Sequence, residues 1–133
     1  MPAPITPTET VERFIAAYNR RDVERAIEVV DEHSVLMPML AHMQPVVRPY
    51  EGYAGVRNFF AELAALPVTT TFVPSQIVAD GERIMVAATI RTSTDQGVVD
   101  HPVSAMFCVH AGRIQVLQSF GSVEMARAAW EQA

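Results

Sequence analysis

Residues 83–120 read RIMVAATIRTSTDQGVVDHPVSAMFCVHAGRIQVLQSF, and how this stretch folds decides the rest of the chain. Three runs rich in Val, Ile, Thr and Phe are separated by DQG at 95–97 and AG at 111–112. Such runs bounded by Gly-containing punctuation are β-strands joined by hairpins. With a further run at 68–79, they predict four successive strands at 68–79, 83–94, 98–109 and 113–121. Each hairpin is expected to close through a three-residue loop, DQG with Gly97 left-handed and HAG likewise. Thr94 then pairs with Val98, Arg91 stands opposite His101, and Val103 stands opposite Ser119. Directly opposed side chains share a face. One face is therefore expected to carry Met85, Arg91, His101, Val103, Phe107, Leu117 and Ser119. Asp100, beside His101 in the chain, points the other way, so the pair is no local Asp–His dyad. Both faces are apolar, beyond what a sheet with one wet side needs. The outer face is expected to pack on a second copy, giving a homodimer.

The residues before the strands have helical spacing. TPTE at 6–9 is a capping box with Pro7 at the first helical position. Val11, Phe14, Ile15 and Tyr18 follow at i, i+3, i+4 and i+7. Asp22 caps a second helix, which makes YNRRD at 18–22 a helix–helix corner. SVLMPML at 34–40 predicts a short strand and AHMQPVVRPYEG a Pro-rich loop. Residues 53–65 form a third helix with Val56, Phe59, Phe60 and Leu63 inward, and a terminal helix starts at Val123. The fold class is α+β, helices packed on a curved antiparallel sheet in one domain spanning 1–133.

Composition narrows the function. The net charge of −5 and the pI near 5.3 argue against nucleic acid, whose phosphates need a basic surface. The single cysteine, Cys108, rules out an internal disulfide and is expected as a buried, inert thiol. No apolar run is long enough to span a membrane, and MPAPITPTET lacks the regions of a signal peptide, so a cytoplasmic location is expected. No His, Cys or carboxylate cluster has metal-ligand spacing and no Gly-rich phosphate loop occurs, so neither metal nor cofactor is expected.

The pieces FIAAYNRRDVERAIEVV, YEGYAGVRNFFAEL and MFCVHAGRIQVLQSFGSVEM together resemble the nuclear transport factor 2-like superfamily. This cone-shaped fold is shared by ketosteroid isomerase, limonene-epoxide hydrolase, scytalone dehydratase and SnoaL-like polyketide cyclases. The resemblance implies an internal pocket lined by Leu117, Ser119 and Gly121, with His101 and Arg91 inward by the pairing above. The isomerase's tyrosine, general base and protonated acid fall on Phe14, near Pro38, and on Val103 or Ser104. The epoxide hydrolase's Asp-Arg-Asp set falls near Thr89, Arg91 and Ser119. The required carboxylates are absent, so the resemblance carries neither reaction. His101 with Ser119 loosely resembles the dehydratase pattern.

His101 is the candidate general base or acid, because an imidazole's ordinary pKa of about 6.5 suits proton transfer. Arg91 opposite it would hold the ring neutral or bind an anionic oxygen, and Tyr18 or Ser119 would orient one. Phe14, Met37, Met39, Tyr53, Phe60, Met85, Val103, Phe107 and Leu117 are the expected ligand-binding set. The functional expectation is a cofactor-free isomerase, cyclase or dehydratase acting on an apolar, cyclic or polyketide-like molecule. The alternative is a non-catalytic ligand-binding or dimerisation module of the same fold.

Overall fold

The computed structural model describes residues 5–132; the N-terminal lead MPAP and Ala133 lie outside them. Helix α1 (Pro7–Arg20) starts as its sequence dictates. The Thr6 hydroxyl accepts from the Glu9 amide while the Glu9 carboxylate accepts from the Thr6 amide. Val11, Phe14, Ile15 and Ala17 form its buried stripe. Arg21 ends it in the left-handed region at φ 56°, and Asp22 caps α2 (Val23–Glu28) by accepting from the Arg25 amide. Strand β1 (Val30–Met37) is followed by a one-turn helix α3 (Met39–His42), the two-residue strand β2 (Tyr50–Glu51) and helix α4 (Gly52–Ala65). The expected strand at 34–40 thus starts four residues earlier and stops at Pro38, which opens α3.

Four long strands complete the sheet: β3 (Thr69–Asp80), β4 (Arg83–Thr94), β5 (Gly97–His110) and β6 (Arg113–Phe120). The strand order is β2-β1-β6-β5-β4-β3, in a curved, unclosed six-stranded sheet. The pairs are antiparallel except β1 with β6, which run parallel, so the sheet is mixed rather than wholly antiparallel. Helix α1 lies across β3 to β6 and α4 against β1 and β2, so the core sits between helices and the inner face. Helix α5 (Val123–Gln132) lies against β5 and β6.

The hairpin registers correct the sequence reading. Between β4 and β5 the loop has two residues, Asp95 and Gln96, and Thr94 pairs with Gly97. The Thr94 hydroxyl accepts from the Gln96 amide and donates to the Gly97 carbonyl, which pulls Gly97 into the ladder. The pairing shifts by one residue, and a one-residue shift turns every β4 side chain to the other face. Arg91 is therefore opposite Asp100, and Ile90 is opposite His101. The inward set on β4 is Ile84, Val86, Ala88 and Ile90, while Met85 and Arg91 point outward.

The β5–β6 loop is also shorter than expected. Ala111 and Gly112, at φ 53° and 75°, make the turn, and His110 pairs with Arg113. Here a bulge between Cys108 and Val109 restores the original parity, so Phe107 pairs with Leu117 and Ala105, not Val103, with Ser119. Leu117 and Ser119 stay inward.

Candidate functional site

Between α1, the start of α3 and the inner sheet face lies a cavity of about 640 Å³. Its walls are apolar: Phe14 and Ile15 from α1, Phe72 from β3, Ile90 from β4, Phe107 from β5 and Leu117 from β6. Phe14 and Phe107 meet edge to face at 6.1 Å between ring centroids, closing the deep end. Pro38, Met39, Leu40 and Met43 form the wall after β1.

The polar lining is sparse and comes from five side chains, Tyr18, Thr70, Thr92, His101 and Ser119. Register explains why three of them gather at one end. Thr70 is directly opposite Thr92, and the neighbouring inward row is Phe72, Ile90 and His101. His101 is exposed at the rim, whereas Ser119 is 8% exposed beside Ala105. His101 is the one imidazole on the cavity wall, and no carboxylate, lysine or arginine of the described residues lines it.

Of the expected site residues, His101, Tyr18, Ser119, Phe14, Met39, Val103, Phe107 and Leu117 lie on the cavity wall. Five do not. Arg91 is on the outer face, its guanidinium donating to both Asp100 oxygens at 3.0 and 3.2 Å. That contact holds the Asp100 carboxyl below its usual range and Arg91 above its own. The expected Arg91–His101 pair does not form, because the loop between them is one residue shorter. Met85 shares that outer face. Met37 packs against the core from the end of β1 without reaching the cavity. Phe60 is buried against Phe59, which takes the cavity position instead. Tyr53 is half-buried away from the cavity and accepts from Arg113 at 3.4 Å.

Sequence reasoning missed Thr70 and Thr92, which sit within the threonine-rich ends TTT and TST of adjacent strands. The expected site also left out Arg21, within the YNRRD corner at 18–22. In the structure Arg21 folds back over Tyr18, with its guanidinium carbon 4.8 Å from the ring centroid, and donates to both oxygens of Thr70 at 2.8 Å. Asn19 adds a two-way amide clamp to Phe72 of β3, at 2.9 and 2.8 Å. The corner thus fastens α1 to the edge strand beside the cavity.

Among the described residues no group of three or more His, Cys, Asp or Glu is arranged to hold a metal ion, and no helix is long and apolar enough to cross a membrane.

Known structures share this architecture. The TerC protein co-crystallised with polyporic acid superposes with a TM-score of 0.75 at 15% identity, over 94% of this chain and 98% of that one. An NTF2-like protein of unknown function from Burkholderia pseudomallei gives 0.74 at 19% identity, covering 91% and 95%. A protein with ketosteroid isomerase-like fold from Catenulispora acidiphila, in complex with trimethylamine, gives 0.74 at 13% identity, covering 90% and 88%. At these identities the likeness shows the fold. No curated protein matches the chain. The model of the SnoaL-like domain matches residues 11–117, well over half the length, and the chain therefore belongs to the SnoaL-like family of the nuclear transport factor 2-like superfamily.

Proposed function

We propose that this domain is a small cofactor-free enzyme that performs acid–base chemistry on an apolar, cyclic or polyketide-like molecule held in the cavity. The observation that carries the reading is the solitary imidazole, His101, on the wall of a largely apolar chamber of about 640 Å³. Such a chamber suits a ring system and excludes most water from it. His101 takes a proton from carbon beside a carbonyl, or delivers one to a leaving oxygen, and its place at the rim lets it exchange that proton with solvent. Ser119 and Tyr18 orient the substrate oxygen. Isomerisation, cyclisation and dehydration each turn on such a proton transfer. The small molecules crystallised with TerC and with the Catenulispora acidiphila protein support a small-molecule role for the fold.

A second reading, a non-catalytic ligand-binding module, is favoured by the absence of a carboxylate among the described lining residues, which leaves His101 without an acid partner. A thermal-shift screen of polycyclic ketones and phenols, with the bound compound then recovered and analysed, separates the two. Chemical change that His101→Ala slows by about 10²- to 10⁴-fold establishes the enzyme. Turnover within about threefold of wild type removes His101 from the chemistry, and a compound recovered unaltered establishes the binding module.

The domain is further read as a cytoplasmic homodimer through the outer sheet face. Val35 and Val116 stand opposite each other there at 37% and 38% exposed, and Val73 on β3 is 40% exposed. A monomer in light scattering at micromolar concentration refutes the dimer.

A further inference from the structure

The chain leaves the sheet after Met37 and returns at Tyr50, which pairs with Leu36, so residues 38–49 form a loop whose two ends are held on one strand pair. Leu40 and Ala41 anchor its start in the core. From His42 to Pro49 every residue is exposed. Met43 is 73% exposed and yet lines the cavity, as do the exposed His101, Pro102 and Gly121, and these four mark its mouth. The backbone hydrogen bonds donated by Ala41, Met43 and Gln44 stay within the loop, and the Gln44 side chain returns to the Leu40 carbonyl. Among the described residues one side-chain hydrogen bond ties the loop to the sheet, between Gln118 Nε2 of β6 and His42 Nε2 at 3.2 Å.

The atoms settle the direction of that bond. An amide nitrogen donates and does not accept, so the imidazole nitrogen accepts. The Gln118 amide also donates to the Ser119 carbonyl at 3.1 Å, which fixes which way the amide faces. His42 is therefore neutral in this contact, with its hydrogen on Nδ1. A protonated ring would set N–H against N–H. Turning the amide over does not repair the contact, because it sets Oε1 against the Ser119 carbonyl. We propose that residues 42–49 are a gate at the cavity mouth, latched by Gln118 through neutral His42 and released when His42 takes up a proton. The inference rests on the small-molecule reading of the cavity and adds control of access to it. Loss of the latch frees Met43, next to His42, from the mouth, in a segment with no buried side chain to hold it. The elements beside the ring bring little charge to it. Strand β6 carries only Arg113, at its far end, β1 carries Asp31, Glu32 and His33 toward its own start, and Arg48 lies further along the loop. Among the described residues none of these forms an ion pair with His42. A neutral imidazole is what both the latch and the proposed proton abstraction by His101 require, so the chamber is shut where that base can act.

The test follows, by stopped-flow fluorescence, the release of N-phenyl-1-naphthylamine, an apolar probe that is uncharged at both pH 5.5 and pH 8 and brightens out of water. The two conditions bracket an imidazole's ordinary pKa of about 6.5. Wild-type protein is expected to release the probe about threefold or more faster at pH 5.5 than at pH 8, because an ordinary hydrogen bond is worth roughly two- to tenfold in an opening equilibrium. Gln118→Ala, which lacks the donor, should be fast at both. His42→Gln, whose side-chain oxygen accepts at either pH, should be slow at both. His101→Ala should keep the wild-type ratio of the two rates. Release from wild-type protein that ignores pH, or Gln118→Ala with wild-type rates, overturns the gate and leaves the cavity reading standing. A pH dependence that vanishes in His101→Ala and persists in His42→Gln also overturns it, because the other imidazole at the mouth is then responsible. If wild-type protein takes up no probe at either pH, the cavity reading falls and this inference with it.

Discussion

The sharpest test of the strand register compares Val86→Asp with Thr89→Asp. Val86 is fully buried, between Ile77 of β3 and Ala105 of β5, and faces the core with Ile84 and Ala88. Thr89 is half-buried on the outer face, between Val73 and Pro102. An aspartate at 86 has no partner and must stay protonated in the folded protein. Burial raises carboxyl pKa values by up to about 3–5 units, so neutralisation is the cheaper outcome. At pH 7, holding a proton on a group of ordinary pKa about 3.9 costs about 3 units, or about 4 kcal/mol. Loss of the buried valine adds about 2 kcal/mol, for a total of about 6. The sign with pH follows from the raised folded pKa. The proton penalty is present at pH 7, shrinks as pH falls toward the unfolded value, and at pH 4 is about 0.5 kcal/mol. Urea unfolding followed by circular dichroism, each variant referred to wild type at the same pH, should show Val86→Asp recovering about 4 kcal/mol between pH 7 and pH 4. Thr89→Asp should show no such recovery. If Val86→Asp is no worse than Thr89→Asp at pH 7, or its deficit does not shrink in acid, the inward face of β4 is wrongly assigned.

Three further outcomes are expected. Arg91→Ala should leave ligand binding in the cavity untouched and let the Asp100 carboxyl return upward to its ordinary range in an NMR titration. The contribution of that depressed carboxyl is present above the unfolded pKa and lost as pH falls through the folded one, and at so exposed a pair it should fade with added salt. Burial, and then the hydrogen bond it donates to Glu62, push the Tyr50 phenol well above its ordinary value. Its stabilisation is complete below pH of about 10 and lost as pH rises beyond, so the alkaline tyrosinate absorbance should contain a late component, coincident with unfolding, that Tyr50→Phe removes. Ala111→Gly should raise the melting temperature by about 2 °C, because relieving a left-handed alanine is worth about 1–2 kcal/mol and added chain entropy returns part of it.

What the sequence disclosed depended on whether the signal was periodic or local. The α1 stripe, the capping box and the Asp22 cap were legible because helical spacing and cap chemistry act within a few residues. The strands were legible for the same reason, to within a residue or two at most ends. Loop length was not. DQG suits both a two-residue and a three-residue loop, and the choice turns on hydrogen bonds of the Thr94 hydroxyl that composition does not announce. One residue there moved Arg91 from the cavity to Asp100. The same error at 110–113 left Leu117 and Ser119 in place only because the bulge at Cys108–Val109 cancelled it. His101 was insensitive to the β4 error, since its face follows from β5 and β6 alone. Arg21 was invisible because its partner, Thr70, lies 49 residues away.

The apolarity of both sheet faces, which led to a second copy as the outer cover, has a partial answer within the chain itself. Arg83 shares the outer face with its β5 partner Cys108, and its guanidinium sits 4.5 Å over the Trp130 ring while donating to the Trp130 carbonyl at 2.9 Å. Helix α5 is thereby pinned over the outer side of β4 to β6, and Ala126 is fully buried in the contact. Ser104, also outward, is fully buried on the strand beneath. The terminal helix accounts for the apolar residues at the Arg83 end of the face. The valines at 35, 73 and 116 remain exposed, so a partner surface, if one docks, is narrower than the full sheet and must meet α5 at its edge. The inner face needs no partner at all. Its apolar side chains close on α1 at Phe14 and Phe107, and the threonines and His101 supply the polar end of the cavity. The YNRRD corner ties α1 to that end of the sheet, Asn19 to Phe72 and both Arg21 and Tyr18 to Thr70. A cavity with one polar end follows from packing an amphipathic helix across a curved sheet whose inward rows run from Phe107 and Leu117 to Ile90, His101, Thr70 and Thr92.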